Sequence, residues 1–267
     1  MLQIKQQLER VTYIDTVARA LCLLKLLAIS PLRVQEAAEK LGIHKSSASR
    51  LLSTMRDHNF VRLNSNGKYE LGYAVFEMAH ALSEGMDVRK IGRPFLEQLN
   101  KTSNETVHLA VLDGIEIVYL DKIDTSRPIR MYSRIGKRAH VYCTGVGKAL
   151  LAYLPDEKID QILAQIKMKS FTARTIVDRE HMMNEIREIR VNGIAWDRGE
   201  HEDDIYCMAA PVFDFTNKVI ASISISATIT YTPEEELAKY AGLLSQTAEA
   251  FSRAMGYVGD WPPPVRL

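Results

Sequence analysis

A predicted helix that begins near Lys45 carries hydroxyls and cations on one face. Its apolar side has helical spacing and consists of Ala48, Leu51, Leu52 and Met55. Its other side presents Lys45, Ser46, Ser47, Ser49, Arg50, Ser53 and Thr54, and no acid follows until Asp57. Hydroxyls donate to phosphate oxygens or read base edges, and Lys and Arg neutralise phosphates or reach guanine. The face therefore predicts DNA contacts, the alternative being an ordinary solvated surface of a small helical domain.

The segments around this helix predict the elements that would position it. Segments 16–29 and 34–41 have the apolar spacing of helices, and Gly42 stands where a helix end takes a left-handed residue. Two short alternating segments flank the dipeptide Asn66-Gly67, which is a strong hairpin signal. Helix, helix, turn, helix and hairpin form a winged helix-turn-helix, whose helix after the turn enters the major groove. This agreement favours the DNA interpretation, with Lys45, Ser46, Ser47, Ser49 and Arg50 as the predicted contacts.

Composition bounds the class of protein. The chain has 267 residues, of which 46% are hydrophobic and 25% charged, as in a globular protein of one or two domains. Residues 1–72 hold 11 Lys and Arg against 6 Asp and Glu, whereas residues 73–267 hold 23 against 27. A basic N-terminal module on an acidic body is compatible with a nucleic-acid partner at one end.

Cysteine spacing and apolar runs point to an intracellular setting. Cys22, Cys143 and Cys207 are far apart and form no C-x-x-C pair, which disfavours a disulfide framework or a zinc site. The first ten residues lack the apolar core of a signal peptide, and no apolar run approaches the ~18–20 residues of a membrane helix. We expect a cytoplasmic protein with no metal and no other cofactor.

The rest of the chain alternates helices and strands. Residues 73–103 are predicted to be helical with a break near 85–88. Predicted strands are TVHLAVLDG, EIVYLDKID, IRMYSRIG, IAWDRGE and the two arms of CMAAPVFDFTNKVIASISISA. Predicted helices are GVGKALLAYL, DEKIDQILAQI, DREHMMNEIREIRVNG and one closing helix, PEEELAKYAGLLSQTAEAFSRAMG, before a loose tail, WPPPVRL.

Several well-separated segments, in order, resemble the IclR family of bacterial transcription regulators. They are TVARALCLLKLLA, LGIHKSSASRLLSTM, GKYELG, RIGKRAHVYCTGVGKALLA, CMAAPVFD and VIASISISAT. The segment IRMYSRIGKR most resembles the KdgR branch, which senses sugar acids. The resemblance implies an α+β protein with a winged helix-turn-helix at 1–75, a helical linker at 76–90 and a GAF-like α/β effector-binding domain at 91–267. It also implies homodimers or homotetramers on operator DNA, and a regulator rather than an enzyme.

The family's effector pocket falls, motif by motif, on residues of this chain. They are Met131, Gly145, Val146, Asp197, Ile205, Cys207, Ser224 and Ser226, with His108 as a further candidate that is otherwise a core histidine. Amides at a helix N-terminus suit a carboxylate, and two hydroxyls two residues apart share one strand face. Asp197 suits a ligand hydroxyl or a proton shared with an acid. A small organic acid is therefore expected, with a sugar acid as the leading candidate and an aromatic acid as the alternative.

Two departures and two rival functions remain at this point. Gly199 stands near an expected acid and Asp204 stands where the family has Gly, so Asp203-Asp204 are expected to add negative charge at the pocket mouth. A thiol enzyme would use Cys207 with His108 or Asp197, but a mid-strand cysteine lacks the helix N-terminus that lowers a thiol pKa. A winged helix used only for protein contacts would not need the Lys, Ser and Arg face.

Overall fold

The computed structural model describes residues 14–84, 87–128 and 131–263. Its contacts divide the chain into two compact units, residues 1–85 and residues 86–267. Among the described residues, no helix is both long enough and apolar enough to cross a membrane.

The N-terminal unit has the predicted order of elements. They are α1 (Asp15–Ile29), α2 (Val34–Leu41), α3 (Lys45–Asp57), β1 (Val61–Leu63), β2 (Tyr69–Leu71) and α4 (Tyr73–Glu84). Gly42 ends α2 with a φ of 64°, which opens the turn into α3. Leu23 and Leu27 of α1 pack with Leu52 of α3 in one apolar core, so α3 is held by its apolar side.

The hairpin forms because its turn satisfies its own backbone. The side-chain carbonyl of Asn64 accepts hydrogen bonds from the amides of Asn66 and Lys68, at 3.0 and 3.1 Å. Gly67 has a φ of 69°, the left-handed region that glycine enters without strain. The antiparallel pairing of β1 with β2 confirms the predicted hairpin.

The second unit is built on an antiparallel sheet. Its strands are β3 (Thr106–Asp113), β4 (Glu116–Ile123), β5 (Arg138–His140), β6 (Ala195–Arg198), β7 (Ile205–Phe213) and β8 (Val219–Thr228). They lie in the order β5-β4-β3-β8-β7-β6. Strands β3 and β8, which are far apart in sequence, are therefore neighbours at the centre of the sheet.

Helices cover both faces of this sheet. They are α5 (Val88–Ser103), α6 (Gly145–Ala152), α7 (Asp156–Gln165), α8 (Arg179–Asn192), α9 (Glu234–Ala238) and α10 (Ala241–Ala254). One core joins α6, α7 and α8 to one face, and the other joins α5, α9 and α10 to the opposite face. On the first face, Gly145 lies so close to β7 that a Cβ built on it would be 3.6 Å from the Cβ of Cys207.

Three predictions about these elements are wrong. Residues 131–136 of IRMYSRIG form a bend and a turn, because the carbonyls of Met131 and Ser133 accept hydrogen bonds from the Lys122 ammonium rather than from a strand. Positions 129 and 130 lie outside the described residues. The closing helix is two helices, since Lys239 and Tyr240 donate to carbonyls three residues back and break the α-helical register. The predicted loose tail is wrong at Trp261, which is packed and whose indole N–H donates to Ser245 at 3.0 Å, while residues 264–267 of that tail lie outside the described residues.

Candidate functional site

The exposed face of α3 is the first candidate site. Its apolar residues Ala48, Leu52 and Met55 are buried. Its five predicted DNA-contact residues are exposed, namely Lys45, Ser46, Ser47, Ser49 and Arg50. The helix begins at a side-chain cap, since Nδ1 of His44 accepts the Ser46 amide at 3.3 Å. No described carboxylate forms an ion pair with Lys45 or Arg50, so both cations are available to a polyanion.

The second candidate site is a cavity on the α6 face of the sheet. All nine predicted effector residues line it: Met131, Gly145, Val146, Asp197, Ile205, Cys207, Ser224, Ser226 and His108. The structure adds residues that sequence reasoning missed: Tyr119, Tyr132, Ser133, Lys137, Ala139, Thr144, His201 and Glu202. Polar groups thus reach the cavity from the sheet, from the start of α6 and from two loops.

Strand pairing sets the order of polar side chains on the cavity floor. Asp197 of β6 lies opposite Cys207 of β7, and Cys207 lies opposite Ser226 of β8. One step along the sheet, Ser224 of β8 lies opposite His108 of β3. Since neighbouring strands are ~4.8 Å apart, these side chains form two adjacent polar rows.

The N-terminus of α6 forms part of the cavity wall. The Thr144 hydroxyl caps this helix by accepting the Gly147 amide at 3.2 Å, and it donates to the His140 carbonyl at 2.8 Å. Residues 145–152 are all buried, so the helix end is fixed against the sheet. The first backbone amides of a helix have no partner within the helix and are a site for an anion. The cavity lining includes Gly145 and Val146 at this end.

His108 is a neutral imidazole at the centre of the cavity floor. Its Nδ1 lies 3.2 Å from the Ser224 hydroxyl and 3.3 Å from the Ser226 hydroxyl. Its Nε2 lies 2.7 Å from the Ser133 hydroxyl. Burial, together with the positive charge of Lys122, lowers the pKa of His108 to about 3. His108 is therefore a hydrogen-bonded core histidine and also a residue of the cavity lining, so the core role does not exclude the lining role.

Asp197 is a buried acid of the cavity lining, and a buried ion cluster lies behind it. Asp197 is 4% exposed, and its Oδ1 accepts the Glu200 amide at 2.7 Å. The fully buried Lys148 ammonium lies 2.7 Å from Glu185 and 2.5 Å from Glu200. Burial raises the pKa of Asp197 to about 7, although the Glu200 amide acts in the opposite direction. At neutral pH this carboxyl is therefore divided between its acid and its anion.

The loop 131–137 supplies a cation that the sequence did not single out. Lys137 lies 4.3 Å from the ring centroid of Tyr132 and donates to the Tyr132 carbonyl at 3.2 Å. Lys122 differs, because it has Asp124 as a partner at 2.8 Å. Among the described residues no carboxylate pairs with Lys137, so its charge is available to an anion in the cavity. The segment RIGK marked this loop as part of the family resemblance, but nothing in the sequence indicated that the Lys137 side chain would line the cavity.

The acidic loop before β7 has an unexpected arrangement. Glu202 lines the cavity, whereas Asp203 and Asp204 are absent from the lining. Asp203 lies 3.7 Å from Arg174 instead. Gly199 has a φ of 76°, and a Cβ on it would lie 2.8 Å from the Asp203 carbonyl oxygen. The Gly199 departure thus shapes a tight turn, and of the three acids Glu202, Asp203 and Asp204 only Glu202 lines the cavity.

The cysteines lack the environment of a nucleophile. Burial raises the pKa of Cys207 well above its usual value, with the negative charge of Asp197 acting in the same direction. Burial likewise raises the pKa of Cys143, whose sulfur lies 3.7 Å from Nδ1 of His201. Both groups are therefore neutral thiols, which attack poorly. Among the described residues, no cluster of His, Cys, Asp and Glu has the arrangement of a metal site.

Comparison with known proteins covers both candidate sites. Residues 16–65 match the IclR helix-turn-helix domain, and residues 80–253 match the bacterial transcriptional regulator IclR C-terminal domain. The HTH-type transcriptional regulator XynR of Escherichia coli is 34% identical over 247 residues, covering 91% of this chain and 98% of XynR. The Escherichia coli regulator KdgR is 35% identical over 230 residues, covering 86% and 87%. The crystal structure of Thermotoga maritima IclR superposes with a TM-score of 0.62 at 31% identity, covering 92% of this chain and all of that one.

Proposed function

The chain belongs to the IclR family of bacterial transcriptional regulators, and from this premise we propose that it represses a catabolic operon for a carbohydrate or sugar acid. A small organic acid, bound in the cavity of the second unit, releases it from its operator. We place it in the cytoplasm, where the chromosome lies. The domain limits 1–75, 76–90 and 91–267 are part of this proposal.

One observation carries the effector proposal: donors and acceptors from distant parts of the chain converge in one cavity. The amide end of α6, the hydroxyls of Ser224 and Ser226, and the Asp197 carboxyl all face it. Amides and hydroxyls suit a carboxylate, Glu202 can accept hydrogen bonds from ligand hydroxyls, and Asp197 can accept from a hydroxyl or share a proton with the acid. A sugar acid offers both kinds of group on one molecule.

An aromatic acid is the second candidate, because part of the lining is apolar. Tyr119, Met131 and Ile205 give the cavity a wall that a ring would contact. The two classes of ligand differ at the end away from the carboxylate, which is hydroxylated in a sugar acid and apolar in an aromatic acid.

The DNA half of the proposal rests on α3. Lys45, Ser46, Ser47, Ser49 and Arg50 read or position the operator from the major groove. One such helix contacts too little DNA for high specificity, so we propose that two copies bind a two-fold related site. Helix α4 is the proposed contact between subunits, because Tyr73, Phe76 and Met78 are exposed apolar residues on it. The active form is then a homodimer or homotetramer.

The test uses operator DNA that the full chain itself selects from a random library. Calorimetry compares pyruvate, D-gluconate, 2-keto-3-deoxy-D-gluconate and 4-hydroxybenzoate as ligands, and gel shifts measure release of the DNA. Ser226→Ala and Asp197→Ala should keep DNA binding and lose the response. Ser222→Ala is the matched control, because its hydroxyl donates to the Ala210 carbonyl outside the cavity lining.

Each outcome decides a separate part of the proposal. A ligand that binds both variants as well as it binds wild type places the effector site elsewhere. Binding of the aromatic acid alone rejects the sugar-acid class and leaves the regulator. Failure to select any DNA rejects the operator contact.

A further inference from the structure

Two acids would meet on the cavity floor when an acidic effector binds. The start of α6 lies over Cys207, since a Cβ on Gly145 would be 3.6 Å from the Cys207 Cβ. Asp197 lies beside Cys207 on the neighbouring strand. With strands ~4.8 Å apart, Asp197 and the start of α6 both border the part of the cavity next to Cys207, where a carboxylate held by the α6 amides would meet the Asp197 carboxyl.

Lys148, the cation whose charge acts on the Asp197 pKa, is already neutralised. Lys148 has two glutamates as partners, Glu185 and Glu200. One Glu200 oxygen, Oε2, is buried with no hydrogen-bond partner, so this cluster already holds more negative charge than it satisfies. It offers no positive charge to a pair of carboxylates.

The remaining groups around Asp197 come from four other segments. Cys207 of β7, Cys143 before α6 and Tyr119 of β4 are neutral, because burial raises the pKa of each. From the β6–β7 loop, Glu202 adds a negative charge, and burial lowers the pKa of His201, which favours its neutral form.

The remaining ionisable groups of the lining do not change this balance. His108 is neutral, and Lys137, beside the Tyr132 ring and carbonyl, is the one lysine of the described lining. One lysine can balance one ligand carboxylate, but not an ionised Asp197 as well.

We propose that the effector carboxylate binds beside a protonated Asp197, with one proton shared between the two acids and taken up from solvent on binding. This inference rests on the proposed acidic effector. No bond between heavy atoms changes: an ionised Asp197 takes a proton from a buffer acid or water, which keeps the bonding electrons, and the new O–H donates to a ligand oxygen. Asp197 is then a specificity-determining residue, because it accepts an acid and disfavours a ligand with two charges at this end.

The electrostatics of the free protein agree with this arrangement. Burial already raises the pKa of Asp197 to about 7, so its protonation at neutral pH requires little free energy. A second carboxylate at hydrogen-bonding distance raises the pKa further, as in any pair of adjacent acids. Below neutral pH the acid form is present before the ligand arrives, and no uptake is needed.

Uptake of a proton on binding makes the ligand affinity depend on pH. Above pH 7, the affinity for the acid should fall by about tenfold per pH unit, since one proton is bound with each ligand. Asp197→Asn carries a permanent donor in place of the shared proton and should abolish this slope. Glu202→Gln is the matched control, because it removes the other lining carboxylate and should keep the slope.

Calorimetry on the full chain tests the inference with pyruvate, D-gluconate and 2-keto-3-deoxy-D-gluconate. Titrations in phosphate and in Tris, buffers with different ionisation enthalpies, measure protons bound per ligand. At pH 8, where the free Asp197 carboxyl is mostly ionised, uptake of close to one proton by wild type and none by Asp197→Asn is the expected result. Acid binding without proton uptake overturns this inference and leaves the proposed effector intact, whereas no binding by any acid overturns both. Titration of ¹³C-labelled Asp carboxyls gives a ligand-free check, and ionisation of Asp197 below about pH 5 would contradict the inference.

Discussion

The Nε2 atom of His108 lies 2.7 Å from the hydroxyl of Ser133, which joins the centre of the sheet to the loop 131–137. The other ring nitrogen lies 3.2 Å from Ser224. A neutral imidazole donates from one nitrogen and accepts at the other, so a single ring fixes both a loop and a strand hydroxyl. This loop also carries Lys137 and Met131, and its position decides where they meet a ligand.

Removal of this hydrogen bond should weaken the effector site without affecting DNA. Ser133→Ala leaves Nε2 of His108 without its protein partner and loosens the loop. A hydrogen bond of this kind is worth roughly 1 kcal/mol, or about fivefold in ligand affinity. Calorimetry measures the loss. Ser126→Ala is the control, because Ser126 is exposed and bonds to Asn104 outside the cavity. Equal affinities in both variants and wild type would show that the loop does not take part.

Stability should respond to acid through His108. Its folded-state pKa of about 3 lies below the ordinary 6.5, so the neutral ring contributes stability that is fully present above pH 6.5. As pH falls from 6.5 towards 3 the unfolded chain takes up the proton, and this contribution is lost at up to about 1.4 kcal/mol per pH unit. Comparison of wild type with His108→Gln isolates the slope, since Asp197 titrates in both proteins.

Urea unfolding followed by tryptophan fluorescence measures this effect, because it reports the unfolding of the unit that contains His108. Trp196 and Trp261 are the chain's two tryptophans, and both belong to residues 86–267. The His181→Gln variant is a control, because its exposed ring is paired with Asp178 away from the cavity. An acid slope that is the same in wild type and His108→Gln would mean that folding does not lower the pKa of this ring.

Operator affinity should depend on Arg50. Arg50→Ala removes an exposed cation from α3 without touching its buried side, so folding should be unchanged. The expected loss is roughly 1–3 kcal/mol if the guanidinium binds guanine, with relaxed specificity at one base pair. Gel shifts over a range of salt concentrations measure it. Arg187→Ala, which removes an exposed Arg from α8, should bind the operator like wild type; a similar loss in both variants would indicate a general charge effect.

Subunit association should depend on the apolar residues of α4. Phe76 is 72% exposed in the single chain, which is unusual for a large apolar side chain that has no partner surface. Phe76→Glu should shift the protein towards monomer and lower its operator affinity together. Light scattering at micromolar concentration measures the mass. Phe215→Glu, in an exposed turn of the other unit, is the control, and a monomeric wild type would reject the proposed contact.

Local signals made the N-terminal unit predictable from sequence. The left-handed glycine at Gly42, the Asn66-Gly67 turn and the apolar periodicity of α3 each depend on a few neighbouring residues. Their agreement fixed the order of elements, which the structure confirms. The face of α3 follows from the same periodicity.

The cavity was predictable only where motifs carried it. Gly145, Val146 and the two serines of β8 belong to recognisable segments, and they line the cavity as expected. The missed residues depend on long-range packing. The loop 131–137 bends because Lys122, from another element, binds its carbonyls, and no periodicity within the loop encodes that contact. The approach of Lys137, His201 and Glu202 to the cavity has the same origin.

The start of α6 should be intolerant of a single added methyl group. A Cβ on Gly147 would lie 2.3 Å from the Val141 carbonyl oxygen and 2.6 Å from its Cα, so the backbone itself must move. Gly147→Ala should therefore displace the amides at 145 and 146, reduce acid binding at least tenfold and destabilise the second unit by roughly 1–3 kcal/mol. Gly242→Ala in α10 is the matched control, because a Cβ there meets no atom within 4 Å and alanine favours the helix. Calorimetry and tryptophan-detected unfolding should separate the two variants, and a Gly147→Ala protein that binds acid like wild type would place the carboxylate away from this helix end.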